Sequence, residues 1–338
     1  MKIILVGDIC LGEHYFNFGH GVRSSVLSGE DILSGVTKFI EKGDLLIGNL
    51  ECVVSGDLFD ESDPSKRVFR AGESALSIFS QFPKTVLSVA NNHALEFGPT
   101  VFDNMLESCE RSGISICGLE DKKGIARTTL GDKEIIVVGA SLVSDPKRSM
   151  CASTYYFPSI DELTDNLKSL APQCDILILN LHWGSESNLN ATKLQREVAA
   201  RLVGAGADLI VGHHPHIFYE VERISNSIVC YSLGDFVFDL TWNKYINRSG
   251  MVEVNFLSDD CVEAFIHGVD ILDDGRPVMS GKSVRLPKDS IVDLYKFSGR
   301  LPKSNFLKFL YFSRNIFKGD TKTKLRFLGW KIKKIFLK

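Results

Sequence analysis

Ala207-Asp208-Leu209-Ile210-Val211-Gly212-His213-His214-Pro215-His216 sets an apolar run directly against three imidazoles within four positions. The run has the composition of a buried strand, and neutral imidazole is a common metal ligand near neutral pH. Pro215 fixes its own backbone torsion and is expected to hold His214 in an extended conformation. Two histidines of a stiff loop then point into one site. A histidine-rich surface turn is the bland alternative, and the rest of the chain decides against it.

Five of the eight histidines fall in three short segments, each after an expected strand. Besides the triplet, His93 follows Ser88-Val89-Ala90-Asn91-Asn92, and His182 follows Ile178-Leu179-Asn180-Leu181. Carboxylates occupy equivalent positions, Asp8 after Lys2-Ile3-Ile4-Leu5-Val6-Gly7 and Glu51 after Asp44-Leu45-Leu46-Ile47-Gly48-Asn49-Leu50. In open α/β sheets the carboxyl ends of strands are where ligand sites assemble. Strand patterns fit near 2–7, 44–49, 85–90, 114–117, 134–140, 174–181, 208–212 and 227–232. Helical patterns fit near 31–42, 73–82, 99–112, 159–170 and 192–205, with Leu194, Val198, Ala199 and Leu202 read as one buried face. Residues 55–68 are polar and turn-forming, hence a loop, and short alternating strands are expected after Arg248.

Oxygen ligands from Asp, Glu and Asn mixed with imidazole suit Mn, Fe or Zn. The set is large enough for two ions with a carboxylate or water bridging them. Such pairs, roughly 3.5–4 Å apart, generate a hydroxide nucleophile and clamp an in-line displacement. No C-x-x-C, G-x-S-x-G or G-x-x-x-x-G-K-[ST] segment is present, which removes the usual cysteine-zinc, serine-hydrolase and P-loop signals.

Seven motifs now stand in order: Gly7-Asp8-Ile9-Cys10-Leu11-Gly12, Gly48-Asn49-Leu50-Glu51, Phe69-Arg70-Ala71, Ala90-Asn91-Asn92-His93-Ala94-Leu95-Glu96-Phe97-Gly98, Leu181-His182-Trp183-Gly184-Ser185-Glu186, residues 204–216 and Tyr231-Ser232-Leu233-Gly234-Asp235-Phe236. Over residues 1–240 the chain resembles the CapA-like (poly-γ-glutamate capsule biosynthesis) family, a branch of the calcineurin-like metallophosphoesterases. The resemblance implies an α/β fold, a four-layer α/β/β/α sandwich. It also implies metal ligation by Asp8, Glu51, Asn92, His182, His214 and His216, with His213 open as a substitute for His214. Glu51 stands where the wider superfamily carries a bridging Asp. His93 and Asp8 are the implied catalytic residues, His93 as proton donor. Arg70, Trp183 and Asn91 are the expected substrate contacts, Arg70 through its planar fork. Glu186 is expected to orient an imidazole. His14, His20 and His267 fall outside the motifs and are read as non-ligands. Asp235 departs from the usual Asn of that motif. It either adds to the charge around the metal or accepts a backbone hydrogen bond.

The implied activity is metal-dependent hydrolysis of a phosphoester or related acyl or amide substrate. It would use two divalent ions (manganese among them) in capsule or envelope polymer biosynthesis. The alternative is a non-catalytic metal-binding scaffold of a membrane-associated polymer synthase complex.

Composition agrees with a globular protein, 44% hydrophobic and 24% charged. No run of about 18 apolar residues occurs, and the segment before Asp8 is too short for a secretory h-region. Eight dispersed cysteines read as reduced and buried, so a cytoplasmic location is expected. The chain divides into a domain over 1–300 and a basic amphipathic helical tail over 301–338. Residues 303–338 hold eleven Lys or Arg against the single acid Asp320, net +10, leaving the body at −13. On a helical wheel Leu325, Leu328, Ile332 and Ile335 share one side and Lys331, Lys334 and Lys338 spread over another. Such a helix suits an anionic membrane interface. The expected partners are an anionic or polymer-precursor substrate and, through this tail, the inner face of the plasma membrane or a synthase complex. Packing of the tail on the acidic body is the alternative. Nucleic acid is not expected, since the pI lies below neutral and no recognition module is present.

Overall fold

The computed structural model describes residues 1–40, 43–56, 63–150, 154–186, 188–258, 261–301 and 305–336. The first half of the chain forms strands Lys2–Ile9 (β1), Leu45–Leu50 (β2), Val53–Ser55 (β3), Arg70–Gly72 (β4), Thr85–Ser88 (β5), Ser115–Cys117 (β6), Ile125–Leu130 (β7) and Lys133–Ser141 (β8). The second half adds Ile176–His182 (β9), Leu209–His213 (β10), Val221–Ile224 (β11), Ser227–Cys230 (β12) and Asp235–Val237 (β13). Arg248–Ser258 (β14), Cys261–Ile271 (β15), Pro277–Arg285 (β16) and Ile291–Val292 (β17) complete the set. The helices are Val22–Leu27 (α1), Thr37–Ile40 (α2), Pro99–Arg111 (α3), Ile160–Leu170 (α4), Lys193–Gly204 (α5), Asn305–Asn315 (α6) and Thr321–Phe336 (α7).

Among the described residues, one sheet has eight strands in the order β16-β15-β14-β1-β2-β5-β6, with β13 beside β1. A second has seven, β17-β11-β12-β10-β9-β8-β7. The central strands are parallel and their apolar runs continuous, because both faces of each sheet are covered. Strand alternation then divides the side chains among three core layers. Ile3 and Leu5 of β1, Ile178 of β9 and Val211 of β10 meet between the sheets. Ile4 and Val6 face outward onto Phe102 and Met105 of α3. Leu177, Leu179 and Ile210 face the other way onto Leu163 and Leu167 of α4 and Leu202 of α5. The result is the four-layer α/β/β/α sandwich.

Local departures from expectation have physical causes. Residues 31–36 are turns, because Met279 N–H of β16 takes the carbonyl of Gly35 at 3.3 Å and draws it from a helical ladder. Residues 41–42 lie outside the described residues, as do 57–62 of the expected loop and Cys151. Glu73–Gln81 is 3₁₀ rather than α, and Ser80 Oγ bonds back to Ser77 O at 2.7 Å within it. On α5 the buried positions are Gln195, Ala199 and Leu202, while Leu194 is 68% exposed. A capping box explains the shift: Gln195 reaches back to Thr192 N and turns Leu194 outward. The antiparallel strands after Arg248 are long, 11, 11 and 9 residues, because each finds a continuous partner across β14-β15-β16.

Candidate metal centre

Register carries the polar residues to one place. Asp8 lies beside Asn49 across β1 and β2 and beside Asp235 across β1 and β13. His213 lies beside His182 across β10 and β9. Both sheets thus end in ligand-type side chains at the same edge. Gly7 makes the close approach of β13 possible: a Cβ there would sit 1.9 Å from Gly234 O, the acceptor of Asp8 N–H.

Asp8, Glu51, Asn92, His182, His214 and His216 converge, and all but Asn92 are buried. Two sets of donor atoms each lie within 4.8 Å: Glu51, His182 and His214, and Asp8, Glu51 and His216. Glu51 belongs to both. Asn92 Oδ1 lies 2.8 Å from His182 Nε2. His213 is outside the two sets; its Nδ1 lies 2.9 Å from Asp8 Oδ1. His214 and His216 both adopt positive φ, 97° and 58°. The extended conformation expected of His214 before Pro215 is therefore overturned by a strained loop, of the kind proteins keep at functional sites.

Burial alone would raise Asp8, but the bond from His213 and the charges of His213, His216 and His182 hold it well below the usual carboxylate range. Burial and the charge of Asp8 push Glu51 well above that range. Burial and His214 drive His182 well below its ordinary value, and burial and His216 lower His214 to about 4. Both imidazoles are thus neutral and ligand-ready. Burial opposes protonation of His216, yet Glu51 and Asp235 carry it well above its ordinary value. Burial raises Asp235 itself to about 7, although His216 pulls it back. Glu51 Oε1, His213 Nε2 and His214 Nδ1 are buried without a hydrogen-bond partner. Buried polar atoms without a hydrogen bond are costly, and a divalent cation would satisfy Glu51 and His214, both members of the donor sets. The donor set fits.

Asp235 adds its charge beside the candidate ligands, acting on both Glu51 and His216. Its Oδ1 lies 2.8 Å from His216 Nδ1 and fixes that ring. Asn49, which the motif reading left without a role, donates from Nδ2 to Asp8 Oδ1 at 2.9 Å and to Glu51 Oε2 at 3.1 Å. Its two-residue spacing from Glu51 along a strand was the available signal.

Two expected substrate contacts are corrected. Trp183 is 2% exposed, donates Nε1–H to Tyr231 O at 3.0 Å and belongs to the core beneath α4 and α5. The chain leaves β9 at His182, and the bulky ring takes the dry side. Asn91 is fully buried: Nδ2 donates to Asn49 Oδ1 and Leu50 O, and Oδ1 accepts His93 N–H. It braces the His93 loop. Arg70 begins β4, its Nε donating to Ser55 Oγ at 3.0 Å and its guanidinium 5.2 Å from the Phe97 ring centre. Glu186 is exposed, with its charge acting on His214. His14, His20 and His267 lie outside the two donor sets.

His93 rests on Phe69 at 3.9 Å between ring centres, and Phe69 takes a positive φ of 57° to be there. His93 Nε2 lies 3.9 Å from Glu51 Oε1, and Nδ1 lies 3.6 Å from Glu96 Oε2. The adjacent His93 imidazole, together with Lys147, holds Glu96 at about 2 despite burial. A cavity of 780 Å³ at the opposite, amino-terminal ends of the strands is no rival: Asp44, Asp175 and Asp208 there cap the backbone N–H groups of Lys2, Glu134 and Leu177. Cys10, Cys52, Cys109, Cys117, Cys174 and Cys230 are free thiols.

Comparison with known proteins gives the family of the chain. The chain is 26% identical over 259 residues to the capsule biosynthesis protein CapA of Bacillus anthracis, covering 72% of this chain and 61% of that protein. It is 26% identical over 253 residues to the PGA biosynthesis protein CapA of Bacillus subtilis, covering 71% and 63%. A probable polyglutamine synthesis accessory protein of Mycobacterium tuberculosis is 23% identical over 221 residues, covering 58% and 56%. The chain thus spans about three fifths of the length of these relatives. Among solved structures, TT1561 of Thermus thermophilus aligns with a TM-score of 0.39 and 11% identity, over 78% of this chain and 97% of that one. Vps29 of Chaetomium thermophilum aligns with a TM-score of 0.33 and 8% identity, over 88% and 100%. The family model described as bacterial capsule synthesis protein PGA_cap matches residues 2–240, and the chain belongs to that family.

Proposed function

We propose that the chain is a metal-dependent hydrolase of the phosphoesterase type, acting in assembly of a bacterial capsule polymer. The observation that carries this reading is the pair of donor sets joined through Glu51, with buried donors left unpaired beside His93. Glu51, His182 and His214, with Asn92, would hold one divalent ion, and Asp8, Glu51 and His216 the second. When bound, such ions supply Lewis acidity and bring a water toward ionisation near neutral pH.

The rest is done by the chain. His213 and Asn49 orient Asp8, and Asp235 orients His216. Phe69 and the Asn91 brace fix His93 with Nδ1 toward Glu96, leaving Nε2 to give a proton to the leaving oxygen. Arg70 supplies positive charge for an anionic substrate. The capsule context comes from the family and from the names of the Bacillus relatives. The free thiols suit a reducing compartment, and we assign the step to the cytoplasm.

The word accessory in the name of the mycobacterial relative favours the second reading, a metal-binding scaffold without turnover. Metal-loaded protein assayed on a chromogenic phosphodiester separates the two. The hydrolase reading expects turnover that His93→Ala abolishes while metal content stays unchanged. Full metal occupancy without turnover of phosphoester or amide substrates would leave the scaffold.

A further inference from the structure

We propose that α6 and α7 form a preformed docking surface for an anionic lipid bilayer. The inference stands apart from the hydrolase reading, because it concerns a surface that holds neither donor set among the described residues.

The two helices are pinned to the body by one side each. Lys324 is fully buried and donates from Nζ to Asn315 O at 2.7 Å and Lys318 O at 2.6 Å. Phe327 is buried and stacks on Tyr15 at 4.6 Å, and Tyr311 bonds Thr241 at 2.6 Å. Asp320 caps α7 by accepting Thr323 N–H and pairs with Arg67 at 3.6 Å. Gly19 and Gly319, both at positive φ, let the chains touch: a Cβ on Gly19 would lie 2.2 Å from Asp320 N, and one on Gly319 2.5 Å from Gly19 C. The tail is therefore a fixed part of the surface.

The side turned to solvent is the apolar one. On α6 it carries Phe306, Phe309 and Leu310, at 66%, 63% and 47% exposure. Phe317, between the helices, is the most exposed large apolar side chain described. On α7 Leu325, Leu328 and Ile332 form an exposed stripe, with exposed Lys322, Arg326 and Lys333 beside it on the helical wheel. Between the helices runs a groove of 330 Å³ floored by Tyr15, Phe16, Phe312 and Phe327 and flanked by Lys308 and Lys331. A helix that shows an apolar stripe bordered by cations has the pattern of an interfacial binder.

Charge selects the occupant. The tail is +10 and the remainder −13, so the body is repelled by an anionic surface and only this face is drawn to it. A second copy docking through the same face would set two such cationic tails together. The loop beneath the tail leaves β1 just after Asp8, and Thr241 follows β13, which begins at Asp235. The docked face therefore adjoins the segments that carry the candidate metal centre.

The test is co-sedimentation of the full chain with phosphatidylcholine vesicles and with phosphatidylcholine–phosphatidylglycerol vesicles. Partitioning at least about tenfold stronger onto the anionic vesicles, reversed by salt, is expected. Phe309→Ser/Leu325→Ser/Ile332→Ser and Lys322→Glu/Arg326→Glu/Lys333→Glu should each lower it about tenfold or more. These side chains point outward, and an unchanged circular dichroism melt certifies each variant. Equal binding to neutral vesicles, no binding, or variants that bind like the parent overturns the proposal. So does a dimer in sedimentation velocity that the serine variant dissolves, or a preference for a DNA duplex over vesicles. No arm requires turnover, so failure of the hydrolase reading leaves this result standing.

Discussion

Glu51→Gln tests the shared carboxylate directly. Asn49 Nδ2 already donates to Glu51 Oε2 at 3.1 Å, so a glutamine there keeps its carbonyl oxygen toward Asn49. Its amide nitrogen then takes the place of Oε1, the atom 3.4 Å from His216 Nε2 and buried without a hydrogen bond. An –NH₂ donor would face both donor sets at once. A four-ligand zinc site binds with about 10–16 kcal/mol, so one ligand is worth roughly 3 kcal/mol, about a hundredfold in affinity. Because Glu51 belongs to both sets, that loss falls on both ions. His182→Ala and His216→Ala each strike one set. Elemental analysis and calorimetric titration of stripped protein with Mn²⁺ or Zn²⁺ should therefore find both equivalents weakened in Glu51→Gln and about one in each histidine variant. The metal-free variant should melt no lower than the parent, since it removes a buried acid pushed far from its ordinary ionisation. Two full equivalents retained in Glu51→Gln, or both lost alike in His182→Ala, would refute the shared-carboxylate argument.

Asp235→Ala removes the acceptor that fixes His216 and should cost about 10–100-fold in affinity at one ion only, with Asp235→Asn costing less; competition with a chelating dye reads both. His93→Ala should leave metal content unchanged and lower turnover by about 10²–10⁴, and a parallel fall in metal content would contradict its place outside both donor sets. Lys324→Met leaves Asn315 O and Lys318 O without their donor and should cost about 1–3 kcal/mol in a denaturant melt. Burial lowers the folded amine to about 8 against 10.5 for the free group, so between those values the unfolded chain binds more protons. That contribution is present above 10.5 and lost as pH falls through 8, so the parent should gain on Lys324→Met as pH rises across this window. A melting difference that stays flat over it would sink the account of the buried amine.

The layers were legible because both faces of the central strands are covered, which makes runs such as Ile176–Leu179 continuously apolar and hard to misread. The donors were legible because each follows such a run. What escaped depends on contacts distant in sequence. The backbone of His214 gave no warning of its positive φ, since the loop is bent by what it must reach rather than by Pro215. Trp183 beside a ligand-type histidine reads as a pocket wall until the exit of β9 turns it toward Tyr231. β3 and β4, three residues each, are too short for any pattern, yet β4 begins at Arg70. The apolar side of the tail was visible on a helical wheel. Which side meets the body was not, because Lys324, a charged residue, is buried there beside Phe327.

The two carboxyl groups favour the proposed cation site over an acid–base pair. Asp8 receives His213 and Asn49, together with the backbone N–H of His214, and is held ionised. Glu51 receives only the remaining amide hydrogen of Asn49, while the charge of Asp8 discourages its own. A hydrolase triad would pair one base with one acid and leave neither carboxylate short. Here one amide holds two carboxyl groups in register, and the imidazoles of His182 and His214 are driven to the neutral form, which cannot compensate a second negative charge. His216 alone is left to do so, and it is shared with Asp235. Ionising Glu51 beside Asp8 would set two carboxylates and two neutral imidazoles against one disputed cation, an incomplete charge balance. Divalent ions held by the proposed donor sets would complete it, and the extra methylene of Glu over Asp gives residue 51 the reach to belong to both sets.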